Sequence, residues 1–154
     1  MSAFYFDSSG IVKRFVSETG SAWTINLFKP SGGNRIYIAR LTPVEVVSAI
    51  TRRKNNGSLS TARADKAMRR FERSLSGRYV FVEIRAAIAD EAMRVAKAHG
   101  LRGYDAVQLA AALLTNQERL HIGASALTFV SADNNLNNAA TAEGLVVDNP
   151  NNHP

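Results

Sequence analysis

Residues 3–12, A-F-Y-F-D-S-S-G-I-V, hold the transition on which the fold turns. Ala3 to Phe6 form a short apolar run with aromatic bulk, suited to a strand buried on both faces. Ser8 and Ser9 then offer hydroxyls to cap a helix running through Ile11, Val12 and Phe15. Asp7 stands between strand and helix. With two serines available for capping, its carboxylate is left for other work.

The same alternation continues along the chain. Gly20-Ser21 opens a helix with Trp23, Leu27 and Phe28 on one face, and Ile36 to Leu41 reads as the next strand. Thr42-Pro43-Val44-Glu45 is a helix start, with Thr at the cap, Pro at the first helical position and Glu three residues after the cap; Gly57 ends that helix. Ser60 caps a helix whose Ala64, Met68, Phe71 and Leu75 make an apolar stripe, a core face rather than a cofactor box. Tyr79 to Ile84 reads as a strand, Ala86 to His99 as a helix stopped by Gly100, and a further helix begins near Tyr104 or Asp105. Leu127 to Val130 is a buried strand, Leu136 to Glu143 a short helix and Leu145 to Val147 a last strand. Strands alternating with helices predict an α/β fold, a three-layer sandwich with a mainly parallel sheet flanked by helices. Residues 1–148 are expected to form a single domain and residues 149–154 a short, frayed polar tail.

Four acids, Asp7, Glu45, Asp105 and Asp133, each stand where an apolar run gives way to a helix. In an open parallel sheet, ligands bind outside the carboxyl ends of the strands, so acids far apart in sequence are expected to meet there. Clustered carboxylates repel one another and must take up protons or share a cation. A magnesium- or manganese-type centre is the economical reading. Each acid also has a local role open to it: capping explains Glu45 and Asp105 taken singly, and Asn134-Asn135 makes Asp133 a plausible turn residue. The joint pattern carries the inference.

Charge points the same way. The net charge of +6 is matched by the stretch from Arg52 to Arg73, where eight cations face only Asp65 and Glu72. Arg52, Arg53, Lys66, Arg69, Arg70 and Arg73 on this helical hairpin form a candidate surface for a polyanion, against the alternative of a simple solvated face. Zero cysteines exclude disulfides, thiol catalysis and cysteine-held metal centres. No P-loop, G-x-G-x-x-G or nucleophile-elbow motif is present, and His99, His121 and His153 lack metal-ligand spacing and read as structural or incidental. No membrane span or secretory signal is indicated, so a cytoplasmic protein is expected.

The segments F-Y-F-D-S-S-G-I-V-K-R-F, T-P-V-E-V-V-S-A-I, L-R-G-Y-D-A-V-Q-L-A-A-A-L and F-V-S-A-D-N-N-L, in this order, resemble PIN-domain ribonucleases of the VapC toxin type. The resemblance implies a hydrolase, a Mg²⁺- or Mn²⁺-dependent endoribonuclease acting as the toxin of a toxin-antitoxin pair, with a cognate VapB-type antitoxin and a homodimer as expected partners. The family's acidic quartet falls on Asp7, Glu45, Asp105 and Asp133, with Asp7 and Asp105 expected to bind the metal directly or through water and Glu45 and Asp133 to complete or orient the shell. The implied chemistry is hydrolysis of an RNA phosphodiester by a metal-activated water, with Ser8 a further candidate at the site. Val12, Phe15, Trp23 and Leu27 are candidates for a groove that takes an antitoxin helix or a second subunit, with burial in the chain's own core as the alternative. Gln108, one turn after Asp105, departs from the His or apolar side chain expected there. A same-fold nuclease acting on DNA or in RNA processing shares every residue named. A non-catalytic nucleic-acid-binding module, with the four acids as caps, is the rival from another class.

Overall fold

The computed structural model describes residues 1–154. Five strands, β1 (Ala3–Phe6), β2 (Arg35–Ala39), β3 (Val80–Val82), β4 (Leu127–Val130) and β5 (Val146–Asp148), form one sheet. Their order is β3-β2-β1-β4-β5, and every neighbouring pair is parallel. Seven helices connect them: α1 (Ser8–Val12), α2 (Ser21–Leu27), α3 (Thr42–Asn55), α4 (Thr61–Ser74), α5 (Ala86–His99), α6 (Gly103–His121) and α7 (Asn134–Ala142). This is the expected three-layer α/β sandwich. No helix is long and apolar enough to cross a membrane.

Side-chain alternation along the strands divides the interior in two. Ala3, Tyr5, Tyr37, Ala39, Leu127 and Phe129 face a cluster with Ile88, Val95, Leu109 and Leu136 of α5, α6 and α7. Phe6, Ile36, Ile38 and Val130 face the opposite layer, where Ile11, Val46, Ile50 and Phe71 come from α1, α3 and α4. Each large side chain buried this way contributes roughly 1.5–3 kcal/mol relative to exposure. The stripe on α4 belongs to this second layer: Ala64 and Phe71 are buried, with Met68 and Leu75 packed against them. Val12 and Phe15 are buried there too, whereas Trp23 and Leu27 are only partly covered.

The strand order reverses between β1 and β4. Connections from β1 build the sheet toward β2 and β3, while β4 and β5 lie on its other side, so the switch point of the sheet falls at the β1 and β4 carboxyl ends. α1 sits close against that edge. A methyl group on Gly10 would stand 2.9 Å from the Val130 carbonyl and 3.0 Å from the Phe6 ring, so only glycine fits there.

Several boundaries differ from the sequence expectation. α1 stops at Val12, because Arg14 and Phe15 bond back three residues, to Ile11 and Val12, in a tight turn. β2 ends at Ala39, since Leu41 already has helical backbone angles as the residue preceding α3. β3 is only three residues long, and α7 starts two residues earlier than its apolar pattern suggests because Asp133 caps it. The tail is docked rather than frayed. Asn149 caps a 3-10 turn at Pro150–Asn152, Pro150 is buried, and the His153 ring stacks on Trp23 at 4.2 Å while its Nε2 lies 2.7 Å from Asp148 Oδ1. His153 is therefore a clasp and not an incidental residue.

Candidate active site

Asp7 directly follows β1 and is the N-cap of α1, its Oδ1 accepting from the Gly10 amide at 2.9 Å. The serines do not cap. Ser9 instead donates to Asp7 Oδ1 at 2.7 Å and accepts from the Ala132 amide at 2.9 Å, tying the β1 end to the β4 end. Ser131 donates to Asp7 Oδ2 at 2.7 Å and accepts from the Asp133 amide. Asn137 holds the Ser131 carbonyl from α7 at 2.8 Å. Asp133 caps α7 through the Leu136 amide.

Glu45 and Asp105 behave in the opposite way to their local motifs. The residue preceding α3 is Leu41, with no side-chain cap, so the Thr42–Glu45 capping box does not form. Arg102 precedes α6, again without a side-chain cap, and Asp105 lies inside the first turn. Glu45 Oε2 accepts from Gln108 Nε2 at 2.6 Å, and Ser8 favours its charged form from α1. α6 runs antiparallel to the strands: Asn116 accepts from the Leu127 amide at the start of β4, while Gln108 reaches Tyr5 and Thr42 near the other end. That direction brings the α6 N-terminus, and Asp105 with it, to the carboxyl ends of β1 and β2.

The four carboxylates form one electrostatic neighbourhood. Burial raises the Asp7 carboxyl from its ordinary 3.8 to about 6, opposed by its Gly10, Ser9 and Ser131 hydrogen bonds and reinforced by Asp105. Glu45 is raised by burial first and then by the negative charges of Asp7 and Asp105, with Gln108 opposing. Asp105 is raised by burial and by Asp133, with Arg102 opposing. Asp7, Glu45 and Asp105 thus share one field, and Asp133 joins it through Asp105. As the side chains stand, no three acids converge closely enough to ligate a single ion. The donor set nevertheless suits a hard divalent cation, being all oxygen and carrying four carboxyl groups against the single nearby base Arg102. Gathering three of these carboxylates onto one ion would require rotation of side chains.

Ser9, Ser131, Gln108, Thr42 and Tyr5 build the surroundings of the acids; the sequence marks Ser9 and Thr42 only as caps and Gln108 only as a departure from the family pattern. Gln108 had a signal: one amide amid the alanines of an otherwise apolar helix face, one turn beyond Asp105. Ser131 had one in the hydroxyl two residues before Asp133, where many members of the resembled family have Thr; Tyr5 had none, because its partner Gln108 lies more than 100 residues away.

The basic residues begin in the last turn of α3, at the opposite end of that helix from Glu45, and continue along α4. Arg52, Lys66, Arg69, Arg70 and Arg73 are exposed, whereas Arg53 is partly buried and paired with Glu18 at 3.1 Å. The acids line none of the principal cavities. One of these, about 240 Å³, opens between the turn after α1 and α4, where Phe15 and Leu59 meet Arg63, Lys66 and Arg70.

Comparison with known proteins places this architecture. Residues 4–141 match the PIN domain. The chain is similar to ribonuclease VapC45 of Mycobacterium tuberculosis (strain CDC 1551 / Oshkosh), at 34% identity over 135 residues covering 82% of this chain and 92% of that protein. Among solved structures it resembles PAE2754 from Pyrobaculum aerophilum, with a TM-score of 0.63 and 20% identity over 95% of this chain and 83% of the other. It also resembles VapBC2 from Rickettsia felis bound to a DNA fragment from their promoter, with a TM-score of 0.61 and 12% identity over 96% and 98%. At these identities the structural likenesses speak to the fold.

Proposed function

The chain belongs to the PIN-domain family, in its VapC type, and on that premise we propose that it is the endoribonuclease toxin of a toxin-antitoxin pair, cutting RNA at the groove of Asp7, Glu45, Asp105 and Asp133. One observation carries the site assignment. Glu45 and Asp105 cap nothing, yet both are held within the field of Asp7 at the switch point of the sheet, at a cost in repulsion that a purely structural arrangement would avoid.

Asp7 and Asp105 would hold a divalent cation, Mg²⁺ or Mn²⁺, directly or through water, with Glu45 and Asp133 completing or orienting the shell. Such an ion, when bound, lowers the pKa of a water and polarises the phosphoryl oxygen. The chain's own groups do the positioning. Ser9 and Ser131 fix both oxygens of Asp7. Gln108 holds Glu45 Oε2, which leaves Oε1 outside that bond. Ser8, whose hydroxyl favours the charged form of Glu45, is the further candidate for contact with the substrate.

The exposed cations Arg52, Lys66, Arg69, Arg70 and Arg73, with Arg53 beside them, would track the RNA backbone, a mode of contact that positions without reading sequence. An antitoxin of the VapB type is the expected protein partner. With Val12 and Phe15 spent on the core, the apolar side chains left for a partner on the early helices are Trp23 and Leu27 with exposed Ile25, Val44 and Val47. A homodimer and a cytoplasmic workplace complete this reading.

The test is cleavage of a mixed single-stranded RNA pool by purified protein with Mg²⁺, with Mn²⁺ and with EDTA, beside Asp7→Asn and Asp105→Asn variants. Cleavage that needs metal and both aspartates is expected. Full metal-dependent activity in either variant would refute the site. A folded wild type that neither cuts nor binds metal would favour a non-catalytic binding module.

A further inference from the structure

We propose that Gln108 is a positioning residue of the acidic groove: its amide fixes the Glu45 carboxylate against α6, and Tyr5 and Thr42 hold that amide in the one orientation able to do so. The inference rests on the nuclease reading above and deepens it.

Gln108 is 1% exposed. A buried primary amide is unfavourable unless its hydrogen-bonding capacity is used, and here both amide hydrogens and the carbonyl are engaged. Tyr5 donates its hydroxyl to Gln108 Oε1 at 2.8 Å, from the middle of β1. Gln108 Nε2 donates to Thr42 Oγ1 at 3.0 Å and to Glu45 Oε2 at 2.6 Å, both in the first turn of α3. The amide cannot turn over without placing its carbonyl oxygen against a carboxylate oxygen, two acceptors with no proton between them. Its direction follows from chemistry.

A purely structural amide would be served by Tyr5 and Thr42 alone. The shortest of the three bonds goes instead to a partly buried carboxylate that has no role in capping its own helix. A glutamate side chain has three rotatable bonds, and one left unheld at the edge of a groove swings toward water. The charge-assisted bond from Gln108 restrains it. Since Gln108 lies one turn after Asp105 on α6, the same bond sets the Glu45 carboxylate of α3 relative to Asp105 of α6.

The test must separate positioning from stability. Gln108→Met keeps roughly the volume but strands the buried Tyr5 and Thr42 hydroxyls, so it loses stability whatever its role. Adding Tyr5→Phe removes the larger orphan, and replacing both partners of a buried hydrogen bond by apolar groups of similar shape is nearly neutral. Wild type, Gln108→Met and the Tyr5→Phe/Gln108→Met double variant are compared by thermal unfolding in EDTA, by calorimetric titration with Mn²⁺ alone, and by kcat and KM for RNA. We expect the double variant to recover much of the lost thermal stability while kcat stays about 10–100-fold down, Mn²⁺ binding stays weaker, and KM for RNA is unchanged. If activity and Mn²⁺ affinity return with stability, Gln108 only fills the core and the assignment is overturned. A wild type that neither binds Mn²⁺ nor cuts RNA overturns the nuclease reading, and this assignment with it.

Discussion

Asp7 is 4% exposed and surrounded by three hydrogen-bond donors, yet its carboxyl is raised to about 6, because desolvation outweighs the Gly10, Ser9 and Ser131 bonds that favour its charge. A raised carboxyl makes the fold sensitive to pH. Below about pH 4 the group is protonated in both folded and unfolded chains and contributes no penalty. Between the ordinary carboxyl value of 3.8 and about 6 the unfolded chain ionises while the folded one keeps its proton, and above about 6 the fold must carry a buried charge. Metal-free protein should therefore lose stability as pH rises through this window, by on the order of 3 kcal/mol at most from this one group. Asp7→Asn should flatten that slope and unfold at a higher temperature than wild type in EDTA near pH 7, although it cuts no RNA. Thermal unfolding from pH 4 to pH 7 checks this, and a steeper fall in the variant than in wild type would contradict it. A residue that weakens the fold it sits in, while tied by three bonds to hold its place, is what a site selected for binding positive charge requires.

Among the elements, β1, β4, α4 and α5 are the ones whose type and extent could be read most directly from apolar pattern and caps: Ser60 caps α4 and Gly100 stops α5 as their residue types demand. The acids were legible as a set, because each lies where a run of apolar residues passes into a helix. Their individual roles were not. Local motifs assign capping to Glu45 and Asp105 and freedom to Asp7, and the structure reverses this, since a cap is decided by the backbone angles of the preceding residue and by which side chain across the sheet competes for the carboxylate. Leu41 is already helical and Gln108 reaches Glu45 from α6, neither of which local sequence encodes. The tail was misread for a similar reason. Its polarity suggests fraying, but Gly20, at φ 86°, lets the Pro150 carbonyl approach the N-terminus of α2 where any Cβ would collide. Gly20→Ala should consequently release the Pro150–Asn152 turn and unstack His153 from Trp23, at about 1–3 kcal/mol for the strained backbone and the clash. Trp23 is the single tryptophan of the chain, so a red shift of its fluorescence reports the event directly. An unchanged spectrum would mean that the tail stays docked by other interactions.

Across the whole molecule, charge is segregated. The four acids lie at the carboxyl edge of the sheet, while an excess of six positive charges is concentrated in residues 52–73, the end of α3 and most of α4. Elsewhere the cations are scattered, and four of them are paired in place: Lys13 meets Glu18, Arg94 is shared between Glu91 and Glu143, Arg85 meets Glu118, and Arg40 meets Glu83. On the hairpin only Arg53 and Lys54 have such partners, Glu18 and Asp65. Exposed cations without carboxylate partners keep their attraction for a phosphate backbone, and neutralising phosphates releases condensed counterions, so affinity falls with salt in proportion to the phosphates neutralised. Lys66→Glu and Arg70→Glu, introduced together, should therefore weaken binding of a labelled single-stranded RNA in EDTA, where no cleavage intervenes. The slope of log affinity against log salt should become shallower by about 0.7 for each phosphate that the variant no longer neutralises. At saturating RNA with metal restored, kcat should hold, because neither residue touches the acids or the groups that orient them. A salt slope identical to wild type would remove the hairpin from the RNA path, and a fall in kcat at saturation would mean that the hairpin sets the geometry of the scissile phosphate as well as the affinity for its neighbours.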